Sequence, residues 1–367
     1  MIYSVNDQIQ IPAIGSVITT EQAMALAIQL AQQGAAFVSP NPMVGCVIVD
    51  QEHRFLAGGF HERYGQGHAE VNALKKITDQ GTLNGSTVYV TLEPCAHEGK
   101  TPSCARALAK LPIKKVVYGL QDPNPLVSGQ GVQILKAVGI EAVEYQGPQK
   151  NALTELAEIF LKNFTQKKVF VAAKLASSLD GQIALAHGES KWITNEQSRQ
   201  FSHELRSRYD AVIVGKNTIL QDDPSLNIRH PKILKTTKLI VLDRAHTIEK
   251  QIKEGRAFQF LKAHATENII FPNASALPDV LQELWVSGIK SVYVEGGGTI
   301  LSQFFQEGLV DRLHLFIAPI ILGSGGGQSW TNSLKLSSMS EKILLNNMQS
   351  KNFGTDIYLT GQLNPRL

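Results

Sequence analysis

The first 150 residues alternate between stretches of helical and of strand periodicity. Met24, Ala27, Ile28 and Ala31 recur at helical spacing behind Thr19-x-x-Gln22, which has the form of a capping box, and Gly34 closes the pattern. Residues 43–49 form a short apolar run that reads as a buried strand, and 68–77 reads as a helix with Val71, Leu74 and Ile77 on one face. The β-branched run 87–92 predicts another strand. Residues 103–111 predict a helix stopped by Pro112, 115–118 a strand, 132–138 a helix and 140–145 a strand. Strands alternating with helices imply a sheet covered by helices, an α/β fold.

Gly147-Pro148 interrupts that rhythm. A helical stretch at 152–163 and the polar joint Thr165-Gln166-Lys167-Lys168 follow, so a domain boundary is expected within 147–168, giving domains 1–150 and 151–367. The second half repeats the style. It predicts strands at 169–174, 211–214, 238–242, 291–295 and 312–317, and helices at 195–208, 279–288 and 299–306.

Composition agrees with two domains. The chain has 367 residues, 43% hydrophobic and 18% charged, enough apolar material for a core in each half. A net charge of +3 is too weak to argue for nucleic acid or an anionic membrane as partner. No apolar run approaches a membrane span, and the start Met1-Ile2-Tyr3-Ser4 has no basic, then apolar, leader pattern, so a cytoplasmic protein is expected. Three cysteines exclude a disulfide scaffold and leave metal binding or core packing.

The strongest chemistry lies in His68-Ala69-Glu70, followed by Pro94-Cys95, His97 and Cys104. His68 and Glu70 open one predicted helix, Cys95 follows the strand 87–92, and Cys104 opens the next helix. Helix N-termini favour thiolate over thiol. One imidazole and two thiolates leave a tetrahedral Zn2+ one position for water, whose pKa the metal lowers to about 7. Glu70 then suits a proton shuttle from that water to a leaving amine. A closed structural zinc site with His97 as fourth ligand is the alternative, but it gives Glu70 no work. Cys46, inside the run 43–49, reads as a buried small residue. Histidine-x-glutamate with a later proline-cysteine resembles the zinc nucleobase deaminases, although here eight residues, not two, separate the cysteines.

Together with Asn41-Pro42-Met43-Val44-Gly45 and Gly59-Phe60-His61, the segment Thr91-Leu92-Glu93-Pro94-Cys95-Ala96-His97-Glu98-Gly99-Lys100-Thr101-Pro102-Ser103-Cys104 resembles the riboflavin-biosynthesis diaminohydroxyphosphoribosylaminopyrimidine deaminases. The resemblance implies a cytidine-deaminase-like three-layer α/β/α domain, one zinc per chain on His68, Cys95 and Cys104, and Glu70 as proton donor. It further implies that Asn41, His61 and Lys100 line the pocket for the pyrimidine and its ribose phosphate. A lysine in such a loop suits a phosphate. Ser103 stands where the family often has proline.

In the second half, Val292–Glu295, Gly296-Gly297-Gly298 and a helix start form a strand, a glycine turn and a helix N-terminus, which favours an anion. The dinucleotide fingerprint is absent, because Leu301 stands where its last glycine would fall. Ser178-Leu179-Asp180-Gly181, Gly188-Glu189-Ser190-Lys191-Trp192-Ile193-Thr194, Arg206, and Val214-Gly215-x-x-Thr218-x-x-x-Asp222-Asp223-Pro224-x-Leu226-x-x-Arg229 add polar groups at strand ends and two arginines suited to a phosphate. Arranged in this order, the segments resemble the reductase domain that accompanies the deaminase in the bifunctional riboflavin enzymes, whose fold is dihydrofolate-reductase-like. The resemblance implies NADPH contacts from Ala176, Trp192, Thr218, Asp222 and Gly297, Gly298, Thr299, Ile300, Leu301, Ser302 and Gln303. It implies substrate contacts from Lys174, Ser190, Arg206, Leu226, Arg229 and Glu295, with Lys174 and Glu295 near the ribose carbon that accepts hydride. Arg244 departs from the small polar residue expected at its position.

The resemblance implies two consecutive reactions. Zinc-hydroxide deamination of 2,5-diamino-6-(5-phosphoribosylamino)pyrimidin-4-one is followed by NADPH reduction of the ribosyl group, giving 5-amino-6-(5-phosphoribitylamino)uracil. It also implies a phosphorylated pyrimidine as partner, a homo-oligomer (dimer or tetramer), and neither nucleic acid nor membrane. A transfer-RNA or nucleoside deaminase is disfavoured by the long cysteine spacing. A nucleotide-sensing protein with structural zinc is the rival outside enzymology.

Overall fold

A computed structural model describes residues 3–4, 7–98, 102–124, 128–230, 233, 235–323, 327–331 and 333–363. The chain forms two compact units that meet in sequence between Lys167 and Lys168. The expected division at 150/151 is therefore displaced. Leu153, Leu156 and Ala157 are buried in the core of the first unit, so the helical stretch that follows Gly147-Pro148 belongs with the preceding sheet.

In the first unit, strands β1 (Gly45–Val49), β2 (Phe55–Phe60), β3 (Thr87–Leu92), β4 (Lys115–Leu120) and β5 (Glu141–Glu144) form a sheet of order β2-β1-β3-β4-β5. The β1 strand runs antiparallel to β2 and β3, whereas β3, β4 and β5 are parallel. Side chains alternate between the two faces. Val47, Val49, Tyr89 and Val117 pack under helix α1 (Thr20–Gln32) and the later helix α5 (Lys150–Leu156). Cys46, Ile48, Val88, Val90 and Val116 pack under α2 (Ala69–Leu74), α3 (Cys104–Leu108) and α4 (Gln130–Ala137). The result is a three-layer α/β/α domain.

The capping box at Thr19 and Gln22 is formed in both directions. The β2 strand was not expected. Its Gly58-Gly59 pair weakens a strand pattern, but the glycines are needed for packing. A Cβ on Gly59 would lie 2.4 Å from the Ala73 amide nitrogen, so α2 rests directly on strand backbone. The helix expected at 152–163 is broken at Ala157 into α5 and α6 (Glu158–Gln166).

In the second unit, β6 (Phe170–Ser178), β8 (Ala211–Gly215), β9 (Lys238–Leu242), β10 (Ile269–Ile270) and β11 (Ser291–Val294) are joined by β12 (Arg312–Ala318), β14 (Leu345–Phe353) and β15 (Asp356–Leu363). Their order is β10-β9-β8-β11-β6-β12-β15-β14, parallel from β10 to β12 and antiparallel through the terminal hairpin. The short β7 (Gln182–Ala184) and β13 (Gln328–Ser329) pair apart from this sheet. Helices α7 (Glu196–Ser207), α8 (Lys216–Asp222), α9 (Thr247–Lys253), α10 (Gln259–Ala263), α11 (Leu277–Val286) and α12 (Gly298–Gln306) complete the unit. Leu277, Val280, Leu284, Leu301 and Phe304 of α11 and α12 fill one core. Ile219, Ile248 and Phe260 join Val212, Val214, Leu239 and Val241 in another. Open α/β sheets of this kind place ligands outside the carboxyl ends of their parallel strands.

Candidate active sites

The first site gathers at the carboxyl end of β3. His68 is the N-cap of α2, its backbone extended and its side chain free of capping. Cys95 follows β3, and Cys104 is the first residue of α3. Ser103 fixes that approach, since its hydroxyl donates to the Cys95 carbonyl (2.8 Å) and caps Arg106. Serine in place of proline thus ties the two cysteine-bearing segments together. His68 Nδ1 lies 3.5 Å from Cys95 Sγ and 3.3 Å from Cys104 Sγ. All three donor atoms fall within 4.8 Å of one another. Donors around a tetrahedral zinc stand about 3.5–3.8 Å apart, so the set fits that ion. Among the described residues this is the one such group. His97 is exposed and outside it, which leaves the closed structural site without its fourth ligand.

Of the two thiols, Cys104 is the one that keeps its proton. The contact with Cys104 draws Cys95 down to about 4, with His68 assisting, while the same contact pushes Cys104 upward. A cation would displace that proton. Glu70 is buried in the first turn of α2 and its carboxyl contacts Cys104. Burial, reinforced by Cys95, raises Glu70 to about 7. Beside it, His61 Nε2 meets Asn41 Nδ2 at 3.2 Å, His61 Nδ1 meets the Gly67 carbonyl at 3.1 Å, and the His61 and His68 rings lie edge to face at 5.2 Å. Asn41, His61, His68, Glu70, Cys95 and Cys104 are thus brought together. Lys100 lies outside the described residues. Cys46 is fully buried beneath α2 and α3, as expected. Sequence reasoning missed Glu93. Its buried carboxylate accepts the amides of Asp122, Gly129 and Val132, anchoring the loop beyond β4 to the cysteine segment.

In the second unit, Lys174 sits on β6 and Glu295 just beyond β11. Arg206 of α7 grips Glu295 with both arms of its guanidinium, at 2.7 and 2.9 Å, and also donates to the Asn227 carbonyl. Burial alone would raise Glu295, but Arg206 and then Lys174 hold it down to about 2. Lys174 is itself lowered by burial, against the pull of Glu295. Leu226 is buried with a left-handed backbone (φ +55°), and Arg229 is exposed three residues on.

A cavity of about 500 Å3 opens at the ends of β8, β9 and β11. Thr218, Gly297, Gly298, Thr299, Ile300 and Gln303 line it, as do Asn217, Asp243 and Arg244, which were outside the expected set. The space beside Gly297 is open for at least 4 Å, so its backbone and the N-terminus of α12 are reachable by a phosphate. Arg244, fixed by donation to the Ser275 carbonyl at 2.8 Å, adds a cation to the wall. These features fit a nicotinamide dinucleotide phosphate. Leu301 faces the core instead, and Ser302 is buried and donates to the Trp330 carbonyl. Ala176, on β6, and Asp222, at the end of α8, lie outside the cavity lining. Trp192 is exposed under the Arg199 guanidinium, and Ser190 occupies the same loop.

A half-buried His-Cys-Cys set beside a buried glutamate, followed by a mostly parallel sheet with a glycine-turn cavity, defines a zinc-dependent deaminase joined to a nicotinamide-dependent reductase. Residues 18–120 match the cytidine and deoxycytidylate deaminase zinc-binding region, and 169–359 match the RibD C-terminal domain. The riboflavin biosynthesis protein RibD of Aquifex aeolicus is 37% identical over 92% of this chain and 96% of its own length. That of Escherichia coli is 34% identical over 83% and 89%. Among solved structures, Acinetobacter baumannii RibD superposes with a TM-score of 0.79 at 37% identity, covering 93% of this chain and 98% of its own. A diaminohydroxyphosphoribosylaminopyrimidine deaminase/5-amino-6-(5-phosphoribosylamino)uracil reductase from Thermotoga maritima gives 0.80 at 34% identity, covering 94% and 98%. The chain belongs to the RibD family, bifunctional deaminase–reductases of riboflavin biosynthesis that use zinc and NADPH.

Proposed function

We propose that the first unit deaminates 2,5-diamino-6-(5-phosphoribosylamino)pyrimidin-4-one and that the second reduces the deaminated ribosyl compound to 5-amino-6-(5-phosphoribitylamino)uracil. The observation that carries the first step is the juxtaposition of His68, Cys95 and Cys104 with the buried Glu70. Those three side chains would hold zinc, which when bound supplies a nucleophile from water at neutral pH. Glu70 takes the proton that water loses and delivers it to the exocyclic nitrogen as the C–N bond breaks. Ammonia leaves and the ring carbon keeps the oxygen. Burial of that carboxyl favours the protonated form from which the proton is delivered. Asn41 and His61 orient the ring, and Lys100 meets the phosphate.

In the second step NADPH supplies a hydride to the sugar carbon bonded to nitrogen. The cavity lined by Thr218, Gly297, Gly298, Thr299, Ile300 and Gln303 holds the cofactor, together with Ala176, Trp192 and Asp222. Arg206 and Arg229 take the substrate phosphate, with Ser190 and Leu226 against the substrate. Glu295 stays anionic through its pair with Arg206, and its charge opposes the burial that lowers Lys174, the residue placed beside the reacting carbon to donate to the opening ring oxygen. Free cysteines accord with a cytoplasmic setting. Exposed Met348 and Ile357 on the terminal hairpin support a homo-oligomer, dimer or tetramer, which light scattering resolves.

The decisive experiment follows ammonia release by the E70Q variant loaded with zinc. Loss of deamination with zinc content unchanged supports the reading, and wild-type turnover overturns it.

A further inference from the structure

The reductase unit holds a histidine that neither step above employs. His203 lies on α7, three residues before Arg206 and on the same side of the helix. Its Nδ1 stands 3.3 Å from the Arg206 guanidinium and 3.3 Å from the backbone N–H of Arg229. These two partners can only donate, so Nδ1 meets them as the acceptor of a neutral ring, whose further contact is the Asn227 carbonyl. Burial first, then the Arg206 charge, depresses His203 to about 4, which agrees with that tautomer. The loop it touches is held from other sides as well. Arg206 binds the Asn227 carbonyl, and His264 Nε2 meets the Ser225 carbonyl at 3.2 Å. Asp223 and Leu226 both adopt left-handed backbones without being glycine, so this course is imposed by its contacts.

We propose that His203 is a positioning residue for the reductase, its Nδ1 fixing the loop that presents Arg229 to the substrate phosphate and aligning Arg206 at the same point. The inference rests on the reading that Arg206 and Arg229 contact that phosphate. It assigns His203 no contact with substrate or cofactor.

The atom responsible is separable by substitution. Asparagine can put an amide oxygen where Nδ1 stands, whereas glutamine reaches instead toward the position of Nε2. H203N, H203Q, R229A and H203Q/R229A would be compared in the full-length zinc-loaded enzyme. The readouts are KM and kcat from NADPH oxidation, the calorimetric Kd for ribose 5-phosphate, and the melting temperature. R229A should raise both KM and Kd by on the order of tenfold or more. H203Q should raise them by about tenfold with kcat within about twofold, and H203N should recover most of the loss. Added to R229A, H203Q should cost less than about a further twofold, because the two act through one contact. If R229A changes neither KM nor Kd, the phosphate reading falls and the inference with it. If R229A has its effect but H203Q is silent, H203N is no better than H203Q, or the two losses multiply in full, the role of His203 alone is overturned.

Discussion

Replacing Glu295 by glutamine removes one negative charge from beneath the Arg206 guanidinium while keeping the shape of the side chain. Both members of the pair are nearly buried, with side-chain exposures of 9% and 12%. The carboxyl is held at about 2 against an ordinary 4.5, a difference equivalent to about 3 kcal/mol in favour of the folded second unit at neutral pH. Leaving a buried arginine without its partner costs a similar amount, about 3–5 kcal/mol. For a unit of this size the melting temperature should fall by about 6–12 °C. The pH dependence is distinctive. A carboxyl whose pKa is depressed by folding stabilises the fold above its unfolded value and loses that contribution as pH falls through the folded value. The gap between wild type and E295Q should therefore be full at pH 7 and shrink to about 1 kcal/mol near pH 3. Urea unfolding of both proteins at the two pH values, followed by tryptophan fluorescence, measures it. Equal stability at pH 7, or a gap that persists undiminished at pH 3, would refute the argument that the ion pair depresses Glu295.

Three other outcomes follow from the same geometry. Zinc-loaded E70Q should lose about 10²–10⁴-fold in ammonia release while NADPH oxidation on the pre-deaminated substrate is retained. Chelation should abolish deamination with far-UV circular dichroism unchanged, because each face of the first sheet has its own apolar core, and added zinc should restore it; unfolding on chelation would mean a structural ion. G297V puts its branches into open cavity at an ordinary backbone angle (φ −66°), so the Kd for NADPH should rise by about tenfold or more with no change in melting temperature. Unchanged binding would remove the cofactor from that turn.

Legibility of the fold followed local signal strength. The β3 and β9 strands lie where their β-branched runs put them, and α1 starts at its capping box. The β2 strand was hidden by glycines whose purpose, the close approach of α2, is a tertiary fact. The terminal hairpin was hidden because β14 is polar and has no buried residue, an edge strand defined by pairing to β15 and not by burial. The domain junction falls at the far end of the 147–168 window, not at 150/151, for a related reason. Gly147-Pro148 is a genuine break, but Leu153 and Leu156 return to the first core after it. The zinc set was legible because its chemistry demands particular residue types at helix and strand ends. His203 was not, because its partner Arg229 comes 26 residues later by a loop whose return no periodicity announces. The sequence marks Arg206 as suited to a phosphate, whereas its pairing with Glu295, 89 residues away, is a tertiary fact.

The central claim is that zinc is held by one imidazole and two sulfurs with a coordination position left for chemistry. X-ray absorption at the zinc edge of the purified full-length chain, with metal stoichiometry from the same sample, tests it directly. One zinc per chain, with two sulfur scatterers, one histidine nitrogen and one further light atom exchangeable with solvent, is the expected result. A zinc closed by a fourth protein donor, or a chain that takes up no zinc while fully folded, would contradict it.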